Sequence, residues 1–356
     1  MLCTAKKPGS GNGRHVRETK LAMPPGTKIT LACRNYDGTN AILRGRIRVL
    51  GLELDVRETD DVGAMFSGMF KGDFDVSEMS LGELVYYTSR DEVDFVGIPV
   101  FPSRVFRHGF ILCRTAAGVR SPQELDGKNI GFVRWIQTAA IWMRGILTEE
   151  YGVSPERTRW FVASMHHWDD MDRYTVVNPR DGSIIRWIET SGKNESERVC
   201  NALVTGEIDA VGVTDSQRSA LRSNKSVSPL FESPTEVEAD YYRRTKILPI
   251  MHVLAVKKDW IERDPELPHK LFELFAAAKK WARQWKSTTP SVVMAWPEKH
   301  FDEEARTFNG DPWAYGLEEN RHVLEKFLTY CYAQGVSGRK ISPEELFVRS
   351  TWDLHE

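Results

Sequence analysis

From residue 28 onward, short apolar blocks alternate with amphipathic ones, and each block predicts an element. Lys28-Ile-Thr-Leu-Ala-Cys33 has the run of a strand, and residues 39–46 fit a short helix. Within residues 47–56, Leu52, Leu54 and Val56 alternate with Glu53 and Asp55, the period of a second strand. Residues 62–70 predict a helix with Met65, Phe66 and Met69 on one face. Further on, the pattern gives a short helix opening at Ser121-Pro122, a strand over 129–133 and a helix over 137–151 that stops at Gly152. Strands over 156–163 and 247–256 follow, and an amphipathic helix over 268–285 is expected to bury Trp285 in the core. Strands alternating with helices predict a mostly parallel sheet covered on both faces.

The pattern also repeats. Phe70-Lys-Gly-Asp-Phe-Asp-Val-Ser77 is echoed by Val204-Thr-Gly-Glu-Ile-Asp-Ala-Val211, each after an amphipathic helix and each leading into a strand. Gly72 and Gly206 fall where a helix must end, a position that favours the left-handed backbone open to glycine. The echo predicts two α/β lobes of similar plan. The apolar strands over 109–113 and 250–256 bracket the second lobe. The expected division is therefore a discontinuous first lobe (28–109 plus 253–356, with the C-terminal helices) and an inserted second lobe (110–252). Two crossovers form a hinge, and the cleft lies between the lobes. Residues 1–27, rich in Gly, Lys, Arg and Pro, read as a mobile tail, and 164–195 as a surface hairpin or lid.

The crossover stretch Ile98 to Arg114, IPVFPSRVFRHGFILCR, holds Arg104, Arg107 and His108 between two apolar runs. Guanidinium groups pair with carboxylates in two-pronged fashion, and imidazole titrates near neutrality, so the cluster suits an anionic small molecule in a cleft. An edge strand with surface arginines and a packed histidine is the other reading of the same residues.

Composition narrows the partners. Among 356 residues the formal net charge is −2, so no overall field recruits nucleic acid or an anionic membrane. No apolar stretch approaches the roughly 20 residues that span a bilayer. The start of the chain lacks the apolar core of a secretory signal. Five scattered cysteines with no CxxC pair favour reduced thiols and a cytoplasmic setting. No glycine-rich phosphate loop or metal-ligand spacing is evident, so no cofactor is expected. His166-His167 with Asp169-Asp170 suggests a metal only weakly, since adjacent side chains point apart on most backbones.

Four stretches carry a family resemblance: Phe74-Asp-Val-Ser-Glu-Met-Ser-Leu81, Ile98-Pro-Val-Phe-Pro-Ser-Arg-Val-Phe-Arg-His108, Gln137-Thr-Ala-Ala-Ile-Trp-Met-Arg-Gly-Ile-Leu147 and Tyr241-Tyr-Arg-Arg-Thr-Lys-Ile-Leu-Pro-Ile-Met-His252. Together they resemble the 4,5-dihydroxyphthalate decarboxylase family, a branch of the type 2 periplasmic-binding-protein fold. The resemblance implies a two-lobed α/β protein with two crossover strands and an interlobe ligand cleft. It also implies a cofactor-independent decarboxylase acting on a hydroxylated aromatic carboxylate. The chain departs at Arg34-Asn35-Tyr36-Asp37-Gly38-Thr39, where an Asp-Tyr-Asp-Arg-Thr-like run is expected.

Such a reaction requires an acid to protonate the ring carbon that bears the carboxylate, a clamp for carboxylates and polar groups for the hydroxyls. His108 is the first choice as proton donor and His252 the alternative, although His252, in a strongly apolar strand, could simply pack neutral. Arg104 is favoured as clamp over Arg107. Arg144 is a further candidate or an interlobe ion-pair residue. Gln137 and Thr138 open a helix whose free amides suit an anion, or merely cap it. Glu78 and Ser80 leave a strand toward the cleft, where Glu78 would accept from a ring hydroxyl, and Tyr36 and Asp37 would line the same cavity. Two rival functions remain at this point: a non-catalytic solute-binding protein of the same fold, and a lyase or isomerase acting on a polyketide-like aromatic acid. The aromatic-rich residues 290–356 could support a homodimer.

Overall fold

The computed structural model describes residues 28–165, 176–286 and 294–356. The predicted tail over 1–27 and the His166-His167-Asp169-Asp170 group lie outside them.

Along the chain run β1 (Ile29–Cys33), α1 (Asp37–Leu43), β2 (Leu54–Glu58), α2 (Val62–Lys71), β3 (Val76–Ser80), α3 (Leu81–Thr88) and β4 (Phe95–Arg104). Next come β5 (Ile111–Arg114), β6 (Asn129–Arg134), α4 (Thr138–Tyr151), β7 (Arg159–Ser164), β8 (Val176–Val177), β9 (Ile184–Trp187) and α5 (Glu195–Thr205). The sequence continues with β10 (Ala210–Gly212), α6 (Asp215–Leu221), β11 (Val227–Pro229), α7 (Pro234–Thr245) and β12 (Ile250–Lys257). It closes with α8 (Lys258–Arg263), α9 (Leu267–Lys286), α10 (Pro297–Phe308) and α11 (Leu317–Ala333).

The strands form two sheets, of order β2-β1-β3-β12-β4 and β11-β5-β10-β6-β7-β9-β8. Parallel pairing dominates where strands alternate with helices: β1 with β2 and β3, and β6 with β7 and β10. The strands flanking the crossovers break it. β12 runs antiparallel to β3 and β4, and β5 antiparallel to β10 and β11. The chain passes from first sheet to second between β4 and β5 and returns between α7 and β12. The two passages are tied together by the Val105 amide on the Pro249 carbonyl at 3.0 Å.

The internal echo is structural. Gly72 and Gly206 end α2 and α5 with φ of 86° and 90°. The matched acids do the same work in each lobe: Asp75 accepts the Thr30 amide of β1 at 2.9 Å, and Asp209 the Asn129 amide of β6 at 3.1 Å. Met65, Phe66 and Met69 are buried together, as their spacing predicts. Two expectations shift. The second strand begins at Leu54, not at the start of the apolar run. Trp285 is 46 % exposed and stacks on Trp281 at 5.9 Å, because the end of α9 projects past the core.

The C-terminal helix spans both halves. α11 packs on α3 and on α4, where Phe327 lies 5.2 Å from Trp142 and a β-carbon at Gly145 would run into the Tyr330 ring. β8 and β9 form a short antiparallel hairpin at the edge of the second sheet.

Candidate active site

The carboxyl ends of β1 and β3, with the start of β12, build one cluster. After Cys33 the chain turns through residues 34–36 into α1. The wholly buried Thr39 fixes that turn, its hydroxyl donating to the Arg34 carbonyl at 2.6 Å and accepting the Tyr36 amide at 2.9 Å. The Tyr36 phenol donates to Glu78 Oε1 at 2.7 Å, and the Arg34 amide donates to Glu78 Oε2 at 3.1 Å.

Strand register supplies the third partner. His252 stands opposite Ser80 of β3 and Ser103 of β4, and Leu254 stands opposite Glu78. Directly paired residues share a sheet face, so Glu78, Ser80, Ser103 and His252 lie on one side, with Glu78 and His252 as diagonal neighbours. His252 Nδ1 is 2.5 Å from Glu78 Oε1. The carboxylate accepts, so Nδ1 carries the proton and Nε2 is left without a hydrogen-bond partner among the described residues. The Phe66 ring packs nearly perpendicular to the imidazole, with ring centres 5.2 Å apart.

Burial separates the roles. The Glu78 side chain is wholly inaccessible while His252 keeps 17 % exposure, so of the two only the imidazole can meet a ligand. Burial, then the Glu78 charge and its hydrogen bond, hold the Tyr36 phenol above its ordinary range, and it remains a donor. Ser103, nearby, acts on that phenol in the opposite sense. Burial, with Glu78 nearby, pushes the Cys33 thiol up, so Cys33 is a poor nucleophile.

The arginines divide by partner. Arg104 is buried but donates to the Ala314 carbonyl at 2.8 Å and Asn320 Oδ1 at 2.5 Å, tying β4 to the first turn of α11 and the segment before it. Arg144 donates to Gln334 Oε1 at 2.8 Å and the Trp135 carbonyl at 2.7 Å, with Trp135 stacked 3.6 Å from its guanidinium. Arg107 is different. It is 6 % exposed, its Nε contacts Met251 Sδ at 3.1 Å, and its buried Nη1 has no partner among the described residues. Burial lowers it to about 10, which leaves it charged at neutral pH. Tyr36 from the first lobe and Asp215 and Glu238 from the second all act on that charge, which places it between the lobes.

The other predicted residues lie elsewhere or are engaged. His108 is 1 % exposed, ringed by Tyr241 at 5.2 Å, Phe231 at 5.4 Å and Tyr151 at 6.5 Å, with both nitrogens unpartnered among the described residues. Burial, then Arg244, lowers it to about 4, so it is neutral at physiological pH. The Thr138 hydroxyl joins the lobes, lying 2.9 Å from Ser80 Oγ and accepting the Gly82 amide at 2.9 Å. Gln137, at the helix start, is partly exposed and makes no capping bond with its side chain. Asp37 is exposed at the first turn of α1. The sequence does not single out Ser103, and it marks Phe66 only as part of an apolar helix face and not as a site residue. Ser103 sits inside the quoted stretch 98–108, and its alternation with Arg104 is the signal that it turns to the opposite face.

Fold and site define a two-lobed α/β protein of the type 2 periplasmic-binding-protein kind. The alkanesulfonate-binding protein SsuA from Xanthomonas axonopodis pv. citri, bound to MOPS, superimposes with TM-score 0.53 at 12 % identity, over 90 % of this chain and 98 % of that one. The ligand-binding component of an ABC-type import system from Staphylococcus aureus gives TM-score 0.53 at 10 % identity, over 92 % of this chain and 98 % of that one. No family model matches the sequence. Curated relatives do. A 4,5-dihydroxyphthalate decarboxylase from Comamonas testosteroni is 31 % identical over 322 residues, 90 % of this chain and 96 % of the relative. One from Pseudomonas putida is 26 % identical over 215 residues, 60 % of this chain and 81 % of the relative. The chain belongs to the 4,5-dihydroxyphthalate decarboxylase family and is a carboxy-lyase, which sets aside the non-catalytic solute-binding alternative.

Proposed function

We propose that the protein decarboxylates a hydroxylated aromatic carboxylate of the 4,5-dihydroxyphthalate type, without a cofactor, and that His252 supplies the ring proton. The observation that carries this is the Glu78–His252 pair: a buried carboxylate on Nδ1, and a reachable imidazole with Nε2 free among the described residues. In 4,5-dihydroxyphthalate each carboxylate is para to a hydroxyl, so the ring itself supplies the electron pair. A lone pair on that hydroxyl oxygen pushes into the ring as the ipso carbon takes a proton from Nε2 of the imidazolium, and the hydroxyl proton is released. In the resulting dienone the bond to the carboxylate breaks and CO₂ leaves. The bonding pair restores the aromatic ring, and the oxygen regains its proton. The net change is one proton consumed and one CO₂ released per ring.

Glu78 fixes the ring's orientation throughout, its carboxylate holding Nδ1 at 2.5 Å. Tyr36 and the Arg34 amide hold Glu78 in place. A substrate carboxylate seated on Arg107 would relieve a buried charge that has no carboxylate paired to it. Turnover of 4,5-dihydroxyphthalate in D₂O tests the proposal. The expected product is 3,4-dihydroxybenzoate with one deuterium at the vacated carbon and one CO₂ per molecule. Recovery of the unaltered diacid would contradict it.

A further inference from the structure

The proposed reaction removes one of two carboxylates, and the charge inventory of the cleft bears on which one the protein holds. Of the buried arginines considered above, Arg104 and Arg144 are committed to the C-terminal segment through Asn320 and Gln334. Each of the three has one buried nitrogen without a partner among the described residues, but Arg107 alone makes no bond to a described protein oxygen. Its neighbours are the Met251 sulfur at 3.1 Å and the Phe110 ring, 4.8 Å from the guanidinium. Met251 and His252 are neighbours in β12 and turn to opposite faces of the sheet, but the Tyr36 phenol, 3.5 Å from His252 Nδ1, also acts on the Arg107 charge, so guanidinium and imidazole share Tyr36 as a neighbour.

Resting on the decarboxylase reading, we infer that Arg107 anchors the carboxylate that stays on the ring and so determines specificity for an ortho-dicarboxylate. The departing carboxylate loses its negative charge as CO₂ forms. A guanidinium paired with it would stabilise the bound substrate more than the transition state and raise the barrier. The retained carboxylate keeps its charge throughout, so an anchor there binds substrate, transition state and product alike. It also fixes the ring rotation that brings the other ipso carbon to His252.

The product separates the two possibilities, because 3,4-dihydroxybenzoate keeps the spectator carboxylate and lacks the departed one. In the full-length protein, Arg107→Met replaces the side chain with an apolar one of similar reach, and Arg107→Lys keeps the charge without the fork. For Arg107→Met we expect KM for 4,5-dihydroxyphthalate to rise about 100-fold with kcat within about threefold, the mark of lost uniform binding. The inhibition constant of 3,4-dihydroxybenzoate should rise in parallel, and that of 1,2-dihydroxybenzene, which has no carboxylate, should not move. Arg107→Lys should fall between. A raised KM with unchanged inhibition by 3,4-dihydroxybenzoate would overturn the inference and assign Arg107 to the departing group. Equal weakening of 1,2-dihydroxybenzene would also overturn it, by making Arg107 a structural residue. Absence of turnover in the wild type instead defeats the reaction itself.

Discussion

At Glu78 three donors converge on one inaccessible carboxylate: the Tyr36 phenol, the Arg34 amide and the His252 imidazole. Each fixes the acid in a different direction, and the acid in turn fixes the imidazole. Glu78→Gln keeps the volume and an acceptor oxygen but removes the carboxylate charge beside the imidazole. We expect kcat to fall about 10²- to 10³-fold while the protein stays folded by thermal denaturation. Tyr36→Phe removes one donor to a buried acceptor, and its cost should appear mainly as stability, about 1–2 kcal/mol in urea unfolding. Full activity in Glu78→Gln would remove the carboxylate from the mechanism.

At the scale of elements, most of the architecture can be read along the chain because it rests on local pattern. The echo around Gly72 and Gly206 announces two lobes, and the structure gives its glycines the same backbone and its acids Asp75 and Asp209 the same task. The site is harder to read, because pairing across strands decides it. Nothing near Glu78 in sequence says that it meets His252, 174 positions away; register across β3 and β12 does that. The choice among Arg104, Arg107 and Arg144 depends on Ala314, Asn320 and Gln334, which lie 190 to 216 positions from the side chains they bind. Thr138, expected at an open helix start, instead bridges to Ser80 because α3 and α4 begin against each other.

For the whole molecule, the proposed mechanism gives the two histidines named from the sequence opposite parts. His108 packs neutral among aromatic rings beside the crossovers, and its folded value of about 4 lies below its ordinary value of 6.5. Between those values the unfolded chain binds more protons, so stability falls on acidification from about pH 6.5 to pH 4, by an amount on the order of 3 kcal/mol. His108→Phe should flatten that slope in urea titrations across this range, and an unchanged slope would contradict the assignment. The measurement that tests the account most directly is CO₂ release from 4,5-dihydroxyphthalate by His252→Gln and His108→Phe side by side at neutral pH. The account predicts a loss of about 10³-fold or more in the first and near wild-type turnover in the second. Sustained turnover in His252→Gln, with loss in a folded His108→Phe, would contradict it.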